Sequence, residues 1–362
     1  IKIDGSTKSQ YIRLIKLSEG NDNRVIDVEL GYNYSGAITE DGSLYMWGSN
    51  VAGELGNGTT TGSKIPQKIM DNIVSVSLGY DHAGAITEDG SLYVWGGNHS
   101  GSLGDGTNKN SYIPKKVMDN VIYVSLGTES SAAITENGDL YTWGRNNYGQ
   151  LGDGTTKNKD RPQKIMDNVR SVWLGSDYCG AITNDNCLYM WGCNDYGQLG
   201  DGTRKSSSKP TKLMENMKEI SLGVRYCGAI DMSGDLYMWG SNSNNQIGQN
   251  INNDGKPIKI MEKITKVNLG YGHTGALSEE GCLYMWGKND AGQLGIEGQK
   301  NPVKVLEGVK EFSLGWEHTG ALTNDGMLYM WGYNYFGQIG DGTTVNRHSP
   351  VHIELSEKDL ES

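Results

Sequence analysis

Six histidines, five cysteines and four copies of an Asp-Gly-Thr run are the residues of this chain with chemistry beyond packing. His82, His99, His273, His318, His348 and His352 could act as general bases, because imidazole titrates near neutrality. Three of them, His82, His273 and His318, hold one recurring position, which reads as a hydrogen-bonding turn residue. The Asp-Gly-Thr runs begin at Asp105, Asp153, Asp201 and Asp341. An Asp beside Gly and before Thr favours an Asx turn. Calcium is the sharper reading, but a single Asp lacks the several oxygens that ion requires. Cys179, Cys187, Cys193, Cys227 and Cys282 fit no disulfide or zinc spacing and read as small buried thiols. No glycine-rich loop opens a helix to cradle a phosphate. The expectation is therefore no catalytic residue, no metal site and no cofactor.

What must position any site is a tandem repeat. Trp-Gly pairs begin at Trp47, Trp95, Trp143, Trp191, Trp239, Trp286 and Trp331, spaced 48, 48, 48, 48, 47 and 45 residues apart. Leu-Gly pairs recur at Leu30, Leu78, Leu126, Leu174, Leu222, Leu269 and Leu314, and an Asn stands two residues beyond each marker Gly. Read from Gln67, one copy contains four short apolar runs separated by Asp71-Asn72, Gly79–His82 and Asp89-Gly90. Such runs between turn residues are strands. Four short strands cannot bury their faces alone, but seven copies in a ring can. An all-β fold follows, a seven-bladed β-propeller of four-stranded antiparallel blades. The seven Trp are the expected packing between blades, each contributing up to ~4–6 kcal/mol. Ile12–Leu17 and Val351–Leu355 both resemble a first strand, so a terminal strand should close the ring. Residues 12–353 then form the propeller, with tails at 1–11 and 354–362, the second acidic.

The runs Trp143–Gly152, Trp191–Gly200, Gly270–Leu277 and Gly315–Leu322 resemble the regulator-of-chromosome-condensation repeat family. That resemblance covers nearly the whole chain and implies the same seven-bladed fold. It also implies several possible functions, among them nucleotide exchange on a Ran-like GTPase, chromatin binding and inhibition of β-lactamases. The exchange members carry a wedge-like insertion, whereas the copies here are uniform. The chromatin-binding members use a basic tail, and the tail here is acidic.

Function should lie where the copies differ. Between Leu-Gly and the following Gly-Ala or Ala-Ala, the seven turns carry Tyr32, Tyr34, Tyr80, Asp81, His82, Glu129, Asp177, Tyr178, Arg225, Tyr226, Tyr271, His273, Trp316, Glu317 and His318. Equivalent turns of a propeller form a ring on one face. A ring rich in aromatic rings and selected charges suits a protein partner. Its carboxylates outnumber Arg225, so a basic patch on that partner is expected. Tyr148, Tyr196, Tyr335 and Phe336 could extend the face. A guanine-nucleotide exchange factor is the first alternative. A carbohydrate-binding propeller is the second, without a placeable pair of acids. Trp173 stands where the other copies have Glu29, Ser77, Ser125, Ser221, Asn268 and Ser313, and reads as local packing. A net charge of −11 argues against nucleic acid, and no run of 18 apolar residues argues for a membrane helix. A monomer is expected. Unpaired thiols point to a reducing compartment such as the cytoplasm, with secretion left open.

Overall fold

The computed structural model describes residues 24–248, 255–296 and 301–354. These residues form seven four-stranded antiparallel sheets, each built from four strands consecutive in the chain. Blade 1 comprises an inner strand Val25–Leu30, a second strand Tyr34–Thr39, a third strand Leu44–Gly48 and an outer strand Ser63–Met70. The other inner strands are Ile73–Leu78, Val121–Leu126, Val169–Leu174, Met217–Leu222, Ile264–Leu269 and Val309–Leu314. The sequence unit is thus offset from the blade by one strand. Gln67–Met70 begins the repeat in sequence but pairs with Leu44–Met46 of the preceding blade. The Asp-Asn turn after it carries the chain onward, with Asn72 in the left-handed region at φ 60°; Asn tolerates that region better than most residues.

Each hydrophobic cluster mixes side chains of two neighbouring blades. All seven marker Trp are fully buried. Each indole Nε1 also donates to a backbone carbonyl in the link of the preceding blade. Trp95 donates to Glu54 O at 2.8 Å and Trp191 to Gln150 O at 2.9 Å. Trp47 donates to Gln338 O at 2.9 Å and so ties blade 1 to blade 7. The link glycine over each indole is required. A Cβ on Gly56 would lie 2.7 Å from Trp95 Nε1, at a φ of +72°. The marker Asn knots the link from inside. Asn98 Oδ1 accepts Leu103 N, while its Nδ2 donates to Thr107 O and Lys109 O. A side-chain amide carries an acceptor oxygen and two N–H donors in one planar group. The Asp-Gly-Thr runs close Asx turns, with Asp105 Oδ1 accepting Thr107 N at 3.0 Å.

At the C-terminal end, Arg347–Ile353 pairs with Leu328–Gly332 as the outer strand of blade 7. The C-terminal copy therefore completes a blade begun by its own neighbours. Blade 1 closes the ring against blade 7 through core packing and the bond from Leu30 N to Ser313 Oγ. Ile12–Leu17 lies outside the described residues.

Candidate functional site

Antiparallel order fixes which loops share an end of the ring. Every turn after a Leu-Gly pair and every link after a Trp-Gly pair emerges on the same face. Backbone bonds join them, as in Ser49 N to Asn33 O and Arg145 N to Glu129 O. Tyr148, Tyr196, Tyr335 and Phe336 lie on these links, are all exposed, and so belong to this face. The Asp-Gly hairpins, including Asp89 and Asp325, occupy the opposite end.

At the axis, four aromatic rings from consecutive blades meet. Tyr271 of blade 6 stacks on Trp316 of blade 7, with centroids 4.1 Å apart. Tyr32 of blade 1 lies 4.4 Å from Trp316 and 4.2 Å from Tyr80 of blade 2. Tyr80 is 40% exposed, while Tyr32, Tyr271 and Trp316 are half-buried. Burial, with Tyr80 beside it, pushes the Tyr32 hydroxyl up to about 12. Blades 3, 4 and 5 place only Thr128, Ser176 and Val224 at this level. The mouth is a shallow depression of about 120 Å³, with an aromatic wall on one side. Drug-sized ligands occupy clefts of roughly 300–1,000 Å³, so this depression suits the tip of a side chain better than a free small molecule.

Six residues expected on the surface are inside. Tyr34, His82, Tyr178, Tyr226, His273 and His318 are 0–1% exposed. They open the second strands and point into the seams between blades. Tyr34 donates to His82 O at 2.6 Å, and Tyr226 donates to His273 O at 2.6 Å. Tyr178 donates to Gly223 O and Tyr226 O. His82 Nε2 meets Ser131 Oγ, and His318 Nε2 meets Ser35 Oγ across the seam between blades 7 and 1. This is a correction to the expected contact set: these groups tie blade to blade and offer nothing to a partner. Burial pushes His273 and His318 down to about 3, so both are neutral at ordinary pH. Blade 3 has Ser130 here, too short to cross its seam. That seam is crossed instead by Tyr123 against Trp173, 5.9 Å apart, and by Arg145.

The charges also differ from a simple acidic ring. Arg145 lies 3.8 Å from Glu129 and 3.7 Å from Asp177. Lys288 pairs with Glu317 and stands 4.8 Å over the Tyr271 ring. Arg225 lies 4.5 Å over Tyr196. Arg145 and Lys288 both follow a Trp-Gly pair, outside the seven turns. Below the mouth, Glu29, Asp27, Glu219 and Glu311 face Lys266 from the inner strands. Burial, reinforced by Asp27, pushes Glu29 up to about 7. All five cysteines are buried and unpaired, and burial raises the Cys179 and Cys227 thiols well out of the reactive range. Among the described residues no three His, Cys, Asp or Glu side chains converge on a metal position. No described helix is long and apolar enough to cross a membrane.

Residues 5–274 match the family model of the RCC1-like domain. Models of the regulator of chromosome condensation (RCC1) repeat match residues 264–293 and 309–338, and residues 280–322 and 325–359. Among solved structures, human WBSCR16 superposes with a TM-score of 0.79 at 22% identity, over 86% of this chain and 95% of that one. Prp20p of Saccharomyces cerevisiae, characterised for its binding to Gsp1p and histones, gives 0.78 at 22% identity, over 92% and 88%. The ectodomain of the Arabidopsis thaliana receptor kinase ACR4 gives 0.56 at 13% identity, over 92% and 100%. At these identities the likeness is one of fold.

Proposed function

The chain belongs to the RCC1-like domain family, and from that premise we propose that it is a non-catalytic docking module that seats a protein partner on its aromatic face. The observation carrying this reading is the contact set Tyr80–Tyr32–Trp316–Tyr271 at one end of the ring. Four large rings gathered at an open mouth keep apolar area in water. Such area marks interaction surfaces in soluble proteins, and rigid rings with few torsions lose little entropy when a partner covers them. The exposed Tyr148, Tyr196, Tyr335 and Phe336 widen the face toward the rim. Protein binding by Prp20p, a relative in fold, agrees with this reading.

The test is a partner isolated with the native chain and then measured by calorimetry against two sets of variants. Trp316→Ala and Tyr32→Ala should each weaken binding by about 2 kcal/mol or more if they are anchors. Asp89→Ala and Asp325→Ala, on the opposite end, should leave it unchanged. Loss of affinity confined to the Asp89 and Asp325 variants would place the docking face at the other end. A parallel nucleotide-release assay on a Ran-like GTPase separates simple docking from exchange.

A further inference from the structure

The mouth carries its charges in a pattern with one gap. Three of its four carboxylates have a cation from the position after a Trp-Gly pair. Arg145 serves Glu129 of its own blade and Asp177 of the next. Lys288 serves Glu317 of the next blade and covers the Tyr271 ring as it does so. Asp81 is the fourth. The two positions that could serve it are Ser49 in blade 1 and Gly97 in blade 2, and neither carries charge. The carboxylate leans over Gly97, where an added Cβ would meet Asp81 Oδ2 at 2.2 Å. Its nearest basic atom is the Nδ1 of buried His82 at 3.6 Å, which makes no hydrogen bond. No Lys or Arg pairs with Asp81 among the described residues.

A second departure sits beside it. Five links have Gln ahead of the Leu-Gly or Ile-Gly of the link, and Gln150 Nε2 donates to Asp177 Oδ1 at 3.3 Å. Blade 1 has Glu54 at that position, so a donor facing the next turn is replaced by an acceptor. Glu54 is 5% exposed and takes hydrogen bonds from Ala52 N at 2.8 Å and Ser49 Oγ at 3.4 Å. Burial raises its pKa, and the charge of Asp81 adds to the effect. Two carboxylates therefore stand where other blades place a carboxylate with an amide or a cation. Tyr80 precedes Asp81 in the same turn, and Tyr32, 4.2 Å from Tyr80, holds in blade 1 the place that Tyr271 holds in blade 6.

We propose that the notch formed by Asp81, Glu54 and Tyr32 receives an arginine side chain of the protein partner. This rests on the docking reading above and names the chemistry at its centre. The internal model is Lys288, held between a carboxylate and a ring on blades 6 and 7. On blades 1 and 2 the carboxylates and rings are present and the cation is left to the partner. Arginine fits better than lysine, because a planar guanidinium can stack on a ring while its fork of donors reaches more than one carboxylate.

The experiment uses the full chain labelled with 3-fluorotyrosine, titrated with acetyl-arginine-methylamide and followed by 19F resonances assigned through Tyr80→Phe and Tyr32→Phe. The Tyr80 and Tyr32 lines should move saturably, and acetyl-leucine-methylamide should not move them. Ser49→Lys supplies the missing cation from within, Glu54→Gln restores the amide of the other links, and Asp81→Asn removes the charge. Each should weaken the probe at least about tenfold, the scale of one charge-assisted hydrogen bond. Glu54→Gln carries the side chain native to five other links and keeps the test valid if another variant misfolds. Equal probe affinity in the native chain and in Ser49→Lys or Glu54→Gln would overturn the proposal, as would the absence of a saturable shift at Tyr32. With a partner in hand, loss of docking in Trp316→Ala but not in Ser49→Lys would reject the arginine notch and spare the docking face. Indifference to both would reject the two together.

Discussion

Replacing Trp173 should cost more when the new residue is Ala than when it is Ser. At this level of the inner strands, four blades present a polar side chain that accepts from a Leu amide of the next blade. Ser77 accepts Leu126 N at 3.0 Å, Ser125 accepts Leu174 N at 3.2 Å, Asn268 accepts Leu314 N at 3.3 Å and Ser313 accepts Leu30 N at 3.2 Å. Blade 4 presents Trp173 to the equivalent Leu222, and an indole has no acceptor. What Trp173 supplies is area: it packs on the core shared by blades 4 and 5 and meets Tyr123 edge-on. Full burial of such a ring is worth ~3–5 kcal/mol on truncation, and an aromatic pair adds ~0.5–1.5. For a half-buried ring, Trp173→Ala should thus destabilise by about 2–3 kcal/mol. Trp173→Ser loses the same ring but regains a hydroxyl for Leu222 N, worth ~1 kcal/mol, for a net cost near 1–2. The assay is urea unfolding followed by circular dichroism, read as a shift in midpoint at unchanged slope. Partner affinity should stay constant in both variants. If Ala is the milder substitution, Trp173 does not displace a hydroxyl cap, and the account of this tier is wrong.

Three further outcomes follow from the same geometry. Trp191→Ala should destabilise by ~3–5 kcal/mol, and Trp191→Phe by ~1–3, because Phe keeps most of the ring but leaves Gln150 O without its indole donor; urea midpoints separate the two. Tyr226→Phe removes the donor to Gly270 O and His273 O, and should lower stability by about 1–3 kcal/mol while docking affinity is unchanged. The pH dependence has two opposed parts. Glu29 is raised in the folded state to about 7, so the native chain binds the extra proton between its ordinary range and pH 7, and stability falls as pH rises through that window. Glu29→Gln should therefore gain stability over the native chain above pH 7 and match it in acid. His273 and His318 are lowered to about 3, so the unfolded chain binds the extra protons and stability falls as pH drops below about 6.5. His273→Gln should flatten that acid limb in midpoints measured from pH 4 to 7.

The period of the chain made the blade count and the seven buried Trp legible, since a residue kept in every copy must serve a contact made in every copy. The same logic, applied further, would have placed Tyr34, His82, Tyr178, Tyr226, His273 and His318. Six of seven copies have a ring at that position, but alternation between Tyr and His made it look variable. Both rings do one job there: each spans a seam and reaches a group on the next blade. The offset between repeat and blade was not legible, because hydrogen bonding across a turn, not periodicity, decides which neighbour the outer strand joins. The pairing of the mouth charges was not legible for a related reason. Asp177 and Glu317 find their cations outside the turns, in the links, at Arg145 and Lys288.

Departures from the repeat therefore have to be read in pairs that meet in space. Ser130 taken alone is a lost bridge, and Trp173 taken alone is an intruding ring. Ser130 faces the seam between blades 3 and 4; Trp173, seated on the core of blades 4 and 5, meets Tyr123 of blade 3 across that seam, and Arg145 spans it from the face above. A bridge missing inside is matched by contacts added on either side, so these departures cancel and need no partner. At the boundary of blades 1 and 2, Glu54 departs from the Gln of five links, and Ser49 beside it lacks the cation that Arg145 and Lys288 supply elsewhere. Neither answers the charge of Asp81, and among the described residues no Lys or Arg does so. Compensated departures hold the ring together, and an uncompensated pair on an open aromatic face is where another molecule completes the set.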